Sequence, residues 1–281
     1  MRLSLVRNNG QYPTRLGAKI FLHLQIALYT LCLKVVNLRS HRPITGGCDV
    51  DVSLTTYGDR TRRAWRTLET IGRGTLLPRR IVLWHEDEAV VRSPPSTLRR
   101  LMKRGLTIKH CVDYGPHKKY FPYVMEANLE RPLVTADDDV LYPRGWLAGL
   151  VAAHRPDEVV AYRARMMSDD PYVSWPLCTS TIPSENLIPT GVSGVLYPPK
   201  VLKVLRERGD EFMRVCPRAD DFWLHYAAVA SGVLTRQVSE SAATWWPTRP
   251  KERGLMHNNL LEGGNDTISK AAEKAWLGPR A

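Results

Sequence analysis

From residue 49 onward, hydrophobic and polar positions fall into a repeating order. Asp49–Thr56 (DVDVSLTT) alternates and is rich in β-branched residues, which predicts a strand. Residues 61–71 (TRRAWRTLETI) predict a helix that stops near Gly72 and Gly74. Arg80–Trp84 (RIVLW) predicts a second strand. Ser96–Arg104 follows Pro94-Pro95 and precedes Gly105, the punctuation of a short helix, and Leu106–Val112 predicts a third strand. His117–Leu129 predicts a helix whose first turns Pro122 disturbs, and Pro132–Ala136 (PLVTA) a fourth strand that runs straight into three aspartates. The second half is more mixed, with strands expected at Val159–Arg163 and Val233–Val238 and helices at Pro199–Arg208 and Asp220–Ala230. Strands alternating with helices predict an α/β fold, a mostly parallel sheet flanked by helices. Ligands of such sheets bind outside the carboxyl ends of the strands.

A different texture precedes this body. Ile20–Leu33 is a run of 14 residues without a formal charge. Arg2, Arg7, Arg15 and Lys19 lie before it and Lys34, Arg39 and Arg42 after it, and residues 1–48 contain no acid. A spanning helix needs about 20 apolar residues, and no small-residue cleavage site follows the run. The expectation is a basic amphipathic helix on an anionic membrane surface, involving residues 1–42. Packing against the domain is the alternative, and spanning is the least favoured. The chain divides accordingly into a basic N-terminal arm, 1–48, and a main domain, 49–281.

Composition adds one constraint. With 43% hydrophobic and 24% charged residues, the 281-residue chain reads as globular rather than disordered, collagen-like or polytopic. Its net charge is +12, and the first 48 residues supply +7 of it, which calls for an anionic partner. The five cysteines are odd in number, far apart and free of any C-x-x-C spacing. That pattern argues against a disulfide framework or structural zinc and for reduced thiols in the cytoplasm.

Five clusters are candidates for chemistry. Asp137-Asp138-Asp139 ends an apolar strand and is followed by apolar Val140-Leu141. Three adjacent carboxylates repel one another, and Mn²⁺ or Mg²⁺ would relieve that repulsion. Asp137 and Asp139, two positions apart, can face the same way. Asp220-Asp221 opens a helix. One carboxylate suffices as a cap, so the other is free to act as a general base, and Trp223 offers an apolar face to a sugar ring. Lys118 and Lys119, after His117, can bind phosphate as point charges or form an ordinary basic turn. Gly191-Val192-Ser193-Gly194 permits close backbone approach to a ligand or marks a structural turn. His257, in the polar His257-Asn258-Asn259 segment, is either a metal ligand or an exposed side chain.

In this order the clusters resemble the nucleotide-sugar-dependent glycosyltransferases of GT-A fold, in the family 2-like group, over roughly Val50 to Ser269. Asp137-Asp138-Asp139 matches that family's DxD element, and Asp220-Asp221 its late acidic motif. The resemblance implies a GT-A, Rossmann-like sheet and assigns roles. Asp137 and Asp139 hold the metal with His257, while Asp137 and Asp138 contact the donor. Thr55, Tyr57 and Arg60 line the nucleotide pocket, with Lys118 and Lys119 toward the diphosphate. Asp221, or less favoured Asp220, is the base. Gly191, Ser193, Gly194 and Trp223 meet the acceptor. No Q-x-x-R-W motif is present, so transfer of a single sugar from a UDP-sugar to a cell-envelope glycan or glycolipid hydroxyl, with inversion, is expected. The expected location is the cytoplasm, at the inner face of the membrane.

Two other classes remain. A nucleotidyltransferase on a related sheet would carry a Gly-rich loop with Arg and Lys after the first strand, where Thr55–Arg60 has only Gly58. A non-catalytic lipid- or nucleic-acid-binding protein would interleave aromatics with its basic residues. Here the aromatics sit near acids, and no nucleic-acid partner is expected.

Overall fold

A computed structural model of the chain describes residues 6–8, 15–248 and 264–278. Its strands are β1 (Val6–Asn8), β2 (Cys48–Thr55), β3 (Pro78–His85), β4 (Leu106–His110), β5 (Leu133–Ala136) and β6 (Val140–Leu141). They continue with β7 (Glu158–Ala161), β8 (Ala164–Met166), β9 (Leu187–Pro189), β10 (Val195–Tyr197), β11 (Leu234–Gln237) and β12 (Ala243–Pro247). Seven strands form the main sheet in the order β11-β7-β10-β5-β2-β3-β4. β5, β2, β3 and β4 are mutually parallel, and β11 is parallel to β7. β10 runs antiparallel between β5 and β7. The fold is the expected mostly parallel, helix-flanked α/β sheet.

Both faces of the sheet are covered, which explains the near-continuous apolar strands. Val52, Leu54, Ile81 and Leu83 enter one core, and Val82 and Trp84, one residue out of phase, enter the other. The polar positions of β2 are buried as well. Asp51 is fully buried, ion-paired with Arg79 (2.6 Å) and Arg80 (3.1 Å), and accepts from the Tyr123 hydroxyl at 2.9 Å. Ser53 accepts from the Trp84 indole at 3.0 Å.

The helix expected over 117–129 is two pieces, a 3-10 turn at Gly115–Lys119 and an α-helix at Phe121–Glu126. Pro122 lacks an N–H, so it is accommodated in the first turn of a new helix rather than inside a continuous one.

The N-terminal helix is longer than the uncharged run, covering Leu16–Arg39, 24 residues. By length and composition it could cross a membrane. One face is nevertheless docked on the domain. Leu22, Ile26 and Leu33 join the core that contains Val52 and Leu68. Asn37, buried, donates to Glu69 at 2.8 Å and accepts from Arg100 at 2.8 Å, and Glu69 is ion-paired with buried Arg104 at 2.6 Å. A buried polar network of this kind ties the helix to the domain, because each partner lost would leave another unsatisfied. The opposite face exposes Leu16, Ile20, Phe21, Leu24, Leu28, Leu31, Val35 and Leu38.

Candidate active site

Parallel β2, β3, β4 and β5 all finish at one edge of the sheet. β10 starts at that same edge, since Val195 lies opposite Thr135 in an antiparallel register. The sheet therefore gathers Thr56–Arg60 after β2, Asp137–Asp139 after β5 and Gly191–Gly194 before β10. The N-terminus of the Asp220–Ala230 helix joins them through side-chain contacts.

The three aspartates play different parts. Asp138 is buried; it accepts from Thr56 Oγ1 at 2.6 Å and from Arg60 Nε at 3.2 Å, with a second, short contact from Arg60 Nη2. Its carbonyl accepts from Thr67 Oγ1 at 2.8 Å. Burial pushes the Asp138 carboxyl above the usual carboxylate range, with Arg60 opposing. Arg60 also reaches Asp139 at 3.0 Å. Burial works against the Arg60 charge, but Asp138 and Asp139 outweigh it and raise its pKa. Asp137 accepts from Lys119 Nζ at 3.1 Å, and its backbone N–H donates to the Tyr142 hydroxyl at 3.0 Å. Asp137 and Asp139 keep part of their side chains exposed, 30% and 16%, whereas Asp138 keeps 4%. The Asp138 carboxylate thus faces inward as scaffold, and its two neighbours face the edge.

Lys119 connects the strand end to the acidic helix start. Its Nζ lies 3.1 Å from Asp137 and 3.0 Å from Asp220. Burial opposes its charge, yet Asp137, Asp220 and Asp221 hold its pKa well above the ordinary value. Asp221 accepts from the Gly191 N–H at 3.1 Å. Burial and Asp220 push the Asp221 carboxyl up to about 7, with Lys119 opposing. A Cβ at Gly191 would stand 3.0 Å from both Asp221 Oδ1 and Lys119 Nζ, so those side chains would have to give way to it.

Other expected residues have partners of their own. Lys118 is buried and paired with Glu86 (2.5 Å) and Asp113 (2.8 Å), two partners the sequence pattern did not signal. His117 is interior, bonded through its ring nitrogens to the Tyr120 hydroxyl and the Cys216 carbonyl, both at 2.9 Å, and burial pulls it down to about 4. Thr55 turns its hydroxyl to the Trp84 carbonyl at 3.3 Å. Tyr57 is 44% exposed, with Arg60 at 5.2 Å and Lys118 at 5.8 Å from its ring centroid. Ser193 is buried: its hydroxyl donates to the Ala243 carbonyl at 2.7 Å, and its carbonyl receives the Trp146 and Trp245 indoles at 2.9 and 3.1 Å. Gly194 has φ +91°, and a Cβ there would fall 2.5 Å from the Trp146 indole nitrogen. Trp223 is fully buried against Trp276, with ring centroids 4.8 Å apart, so it presents no face at this edge. His257 lies outside the described residues.

The donor set suits a hard divalent cation. Five carboxylates (Asp137, Asp138, Asp139, Asp220 and Asp221) face two cations, Arg60 and Lys119. Among the described residues no group of three metal-ligating side chains converges. Asp137 and Asp139 would therefore supply protein oxygens and leave the remaining positions to diphosphate and water, as is usual for Mg²⁺.

The sequence matches no family model and no curated protein sequence. In fold, the chain is similar to a mannosyltransferase from Pyrobaculum calidifontis, solved in complex with GDP-Man and Mn²⁺. The TM-score is 0.55 at 18% identity, over 93% of this chain and 76% of the other. Similarity to S. aureus TarS bound to UDP-GlcNAc is lower, with TM-score 0.48 at 16% identity, over 73% of this chain and 60% of that one. A 4-diphosphocytidyl-2C-methyl-D-erythritol synthase from Anaerococcus prevotii scores 0.45 at 12% identity, over 80% and 96%. The fold is GT-A-like.

Proposed function

We propose that this protein transfers a single sugar from a nucleotide sugar to an acceptor hydroxyl at the cytoplasmic face of a membrane. The observation that carries the reading is Lys119, whose ammonium joins Asp137 at the end of β5 to Asp220 at the helix start. A donor-phosphate site and a candidate base are thereby parts of one cluster. Asp137 and Asp139 would hold Mn²⁺ or Mg²⁺, which when bound offsets charge growing on a departing diphosphate. Lys119 adds fixed positive charge beside the same carboxylates, where low dielectric strengthens its effect. Tyr57 offers an exposed ring to the nucleotide base, and Arg60 holds Asp138 and Asp139 in place beneath it. Asp221 takes the proton from the acceptor hydroxyl. The hydroxyl oxygen then bonds to the anomeric carbon as the bond to the diphosphate breaks, with inversion. A carboxyl near 7 suits a general base at neutral pH.

A UDP-sugar is the expected donor, and the fold neighbour's GDP-Man makes guanosine donors the necessary comparison. A thermal-shift panel of UDP- and GDP-sugars with and without Mn²⁺ tests the reading. Metal-dependent stabilisation by a nucleotide sugar is expected. Stabilisation by a nucleoside triphosphate alone would move the protein to the nucleotidyltransferases.

The membrane part of the reading rests on the Leu16–Arg39 helix, about 36 Å long at about 1.5 Å per residue. Leu16, Ile20, Leu24, Leu28, Leu31, Val35 and Leu38 form a continuous exposed stripe opposite Leu22, Ile26 and Leu33, which are packed. Lys34 and Arg39 border the stripe, and residues 1–48 hold no acid. An apolar stripe with cationic borders matches an anionic lipid surface, with the docked inner face keeping the helix parallel to it. Binding to phosphatidylglycerol vesicles, and not to phosphatidylcholine vesicles, is the expected result in a flotation assay.

A further inference from the structure

Near Asp221 stand two arginines, Arg163 and Arg165, that form no ion pair among the described residues. β8 and β9 form a two-stranded antiparallel ribbon in which Arg165 lies opposite Ile188. Arg163 immediately precedes β8, and its charge and that of Arg165 both act on the Tyr172 hydroxyl. Arg163 Nη1 donates to Thr190 Oγ1 at 2.9 Å, and the Thr190 N–H donates back to the Arg163 carbonyl at 2.9 Å. The next residue, Gly191, holds Asp221 through its N–H at 3.1 Å. Arg163 is therefore one hydrogen-bonded residue pair away from the candidate base.

Arg165 lies over the Tyr172 ring at 5.2 Å and donates through Nη1 to the Trp175 carbonyl, while its Nε is buried with no partner. Among the described residues no carboxylate oxygen lies within 4.0 Å of either guanidinium. Burial and the neighbouring Arg165 charge lower the Arg163 pKa, with Tyr172 and Asp221 opposing. Two half-buried like charges with no ion pair among the described residues disfavour the folded state, and a buried donor without a partner adds to the cost. A bound anion would relieve both, and the guanidinium fork matches a phosphate.

We infer that Arg163 and Arg165, with Thr190 and Tyr172, form a phosphate subsite for the acceptor, so that the hydroxyl delivered to Asp221 belongs to a phosphorylated polyol. The inference rests on the glycosyl-transfer reading and names its acceptor class. The same phosphate could sit on a soluble compound or on a lipid headgroup.

The experiment is calorimetric titration of the full chain with two probes: glycerol 3-phosphate, and dihexanoyl phosphatidic acid below its micelle concentration. Glycerol serves as the uncharged control. At least one phosphate probe should bind and glycerol should not. Preference for the free or the acylated probe identifies the source. Arg163→Gln and Arg165→Gln should each weaken that binding at least tenfold, and Arg163→Lys and Arg165→Lys by less. All four variants should bind the nucleotide sugar within twofold of the original chain. Failure of both probes to bind, undiminished binding in the Gln variants, or a matching loss of nucleotide-sugar affinity would overturn the subsite. Phosphate binding that depends on the arginines, without any nucleotide-sugar binding, would keep the subsite and discard the glycosyl-transfer reading.

Discussion

Replacing Asp221 by Asn separates the carboxylate's effect on stability from its proposed role in catalysis. Burial and Asp220 push this carboxyl from its ordinary 3.8 up to about 7, against the pull of Lys119. In the unfolded chain it titrates near about 3.9. Between about pH 4 and about pH 7 the unfolded chain has released a proton that the folded chain still holds. Stability therefore falls as pH rises through that window and levels off above it. A displacement of about three pKa units corresponds to about 4 kcal/mol at about 1.36 kcal/mol per unit. Asp220 shares the repulsion, so about half of that is the expected gain for the variant. Asn has no charge to desolvate and keeps an oxygen to accept from the Gly191 N–H. Asp221→Asn should melt with the original chain near pH 4.5 and about 5 °C above it at pH 8, at roughly 2–4 °C per kcal/mol. Donor turnover should be lost at both pH values. Calorimetric melting across pH, paired with a nucleotide-release assay, checks both halves. An unchanged or lower melting temperature at pH 8 would refute the electrostatic argument, and retained turnover would refute the role as base.

Other expectations follow from the same contacts. Arg60→Ala leaves buried Asp138 without its counter-charge and should cost about 3–5 kcal/mol in denaturant unfolding, whereas Arg60→Ala combined with Asp138→Asn should recover most of it. Asp139→Ala should abolish metal-dependent turnover while leaving the melting temperature nearly unchanged, as read by thermal shift and product assay. Gly191→Ala brings a methyl group to 3.0 Å from Asp221 Oδ1 and Lys119 Nζ, so turnover should fall at least tenfold with the circular dichroism spectrum preserved. Leu24→Glu with Leu31→Glu, at positions 57% and 58% exposed, should release the protein from phosphatidylglycerol vesicles without lowering its stability by more than about 0.5 kcal/mol.

The alternating strands and helices between residues 49 and 136, the parallel sheet they form and the edge at which it gathers polar residues were legible in the one-dimensional pattern, whereas β6, β8, β9, β12 and the antiparallel β10 were not. Strand periodicity and Gly and Pro punctuation are local, and a strand ending in three aspartates marks its own carboxyl end. The Asp220-Asp221 helix start was legible for the same reason. What the sequence could not hold was pairing over distance. Lys118 and Lys119 are adjacent and identical in type, yet one is paired with Glu86 and Asp113 and the other bridges Asp137 to Asp220. Ser193, Gly194 and Trp223 are of residue types common at ligand sites, and here they pack the interior, because the tryptophan indoles need buried acceptors and close-fitting backbone. Arg163 and Arg165 gave no signal among the chain's 40 basic residues. Only the β8–β9 ribbon put them beside Thr190, and so beside Asp221. Local propensity thus determined the elements and which residues lie at their ends. The tertiary fold decided which charges meet, because the energy of a buried charge depends on partners that lie tens of residues away in the chain.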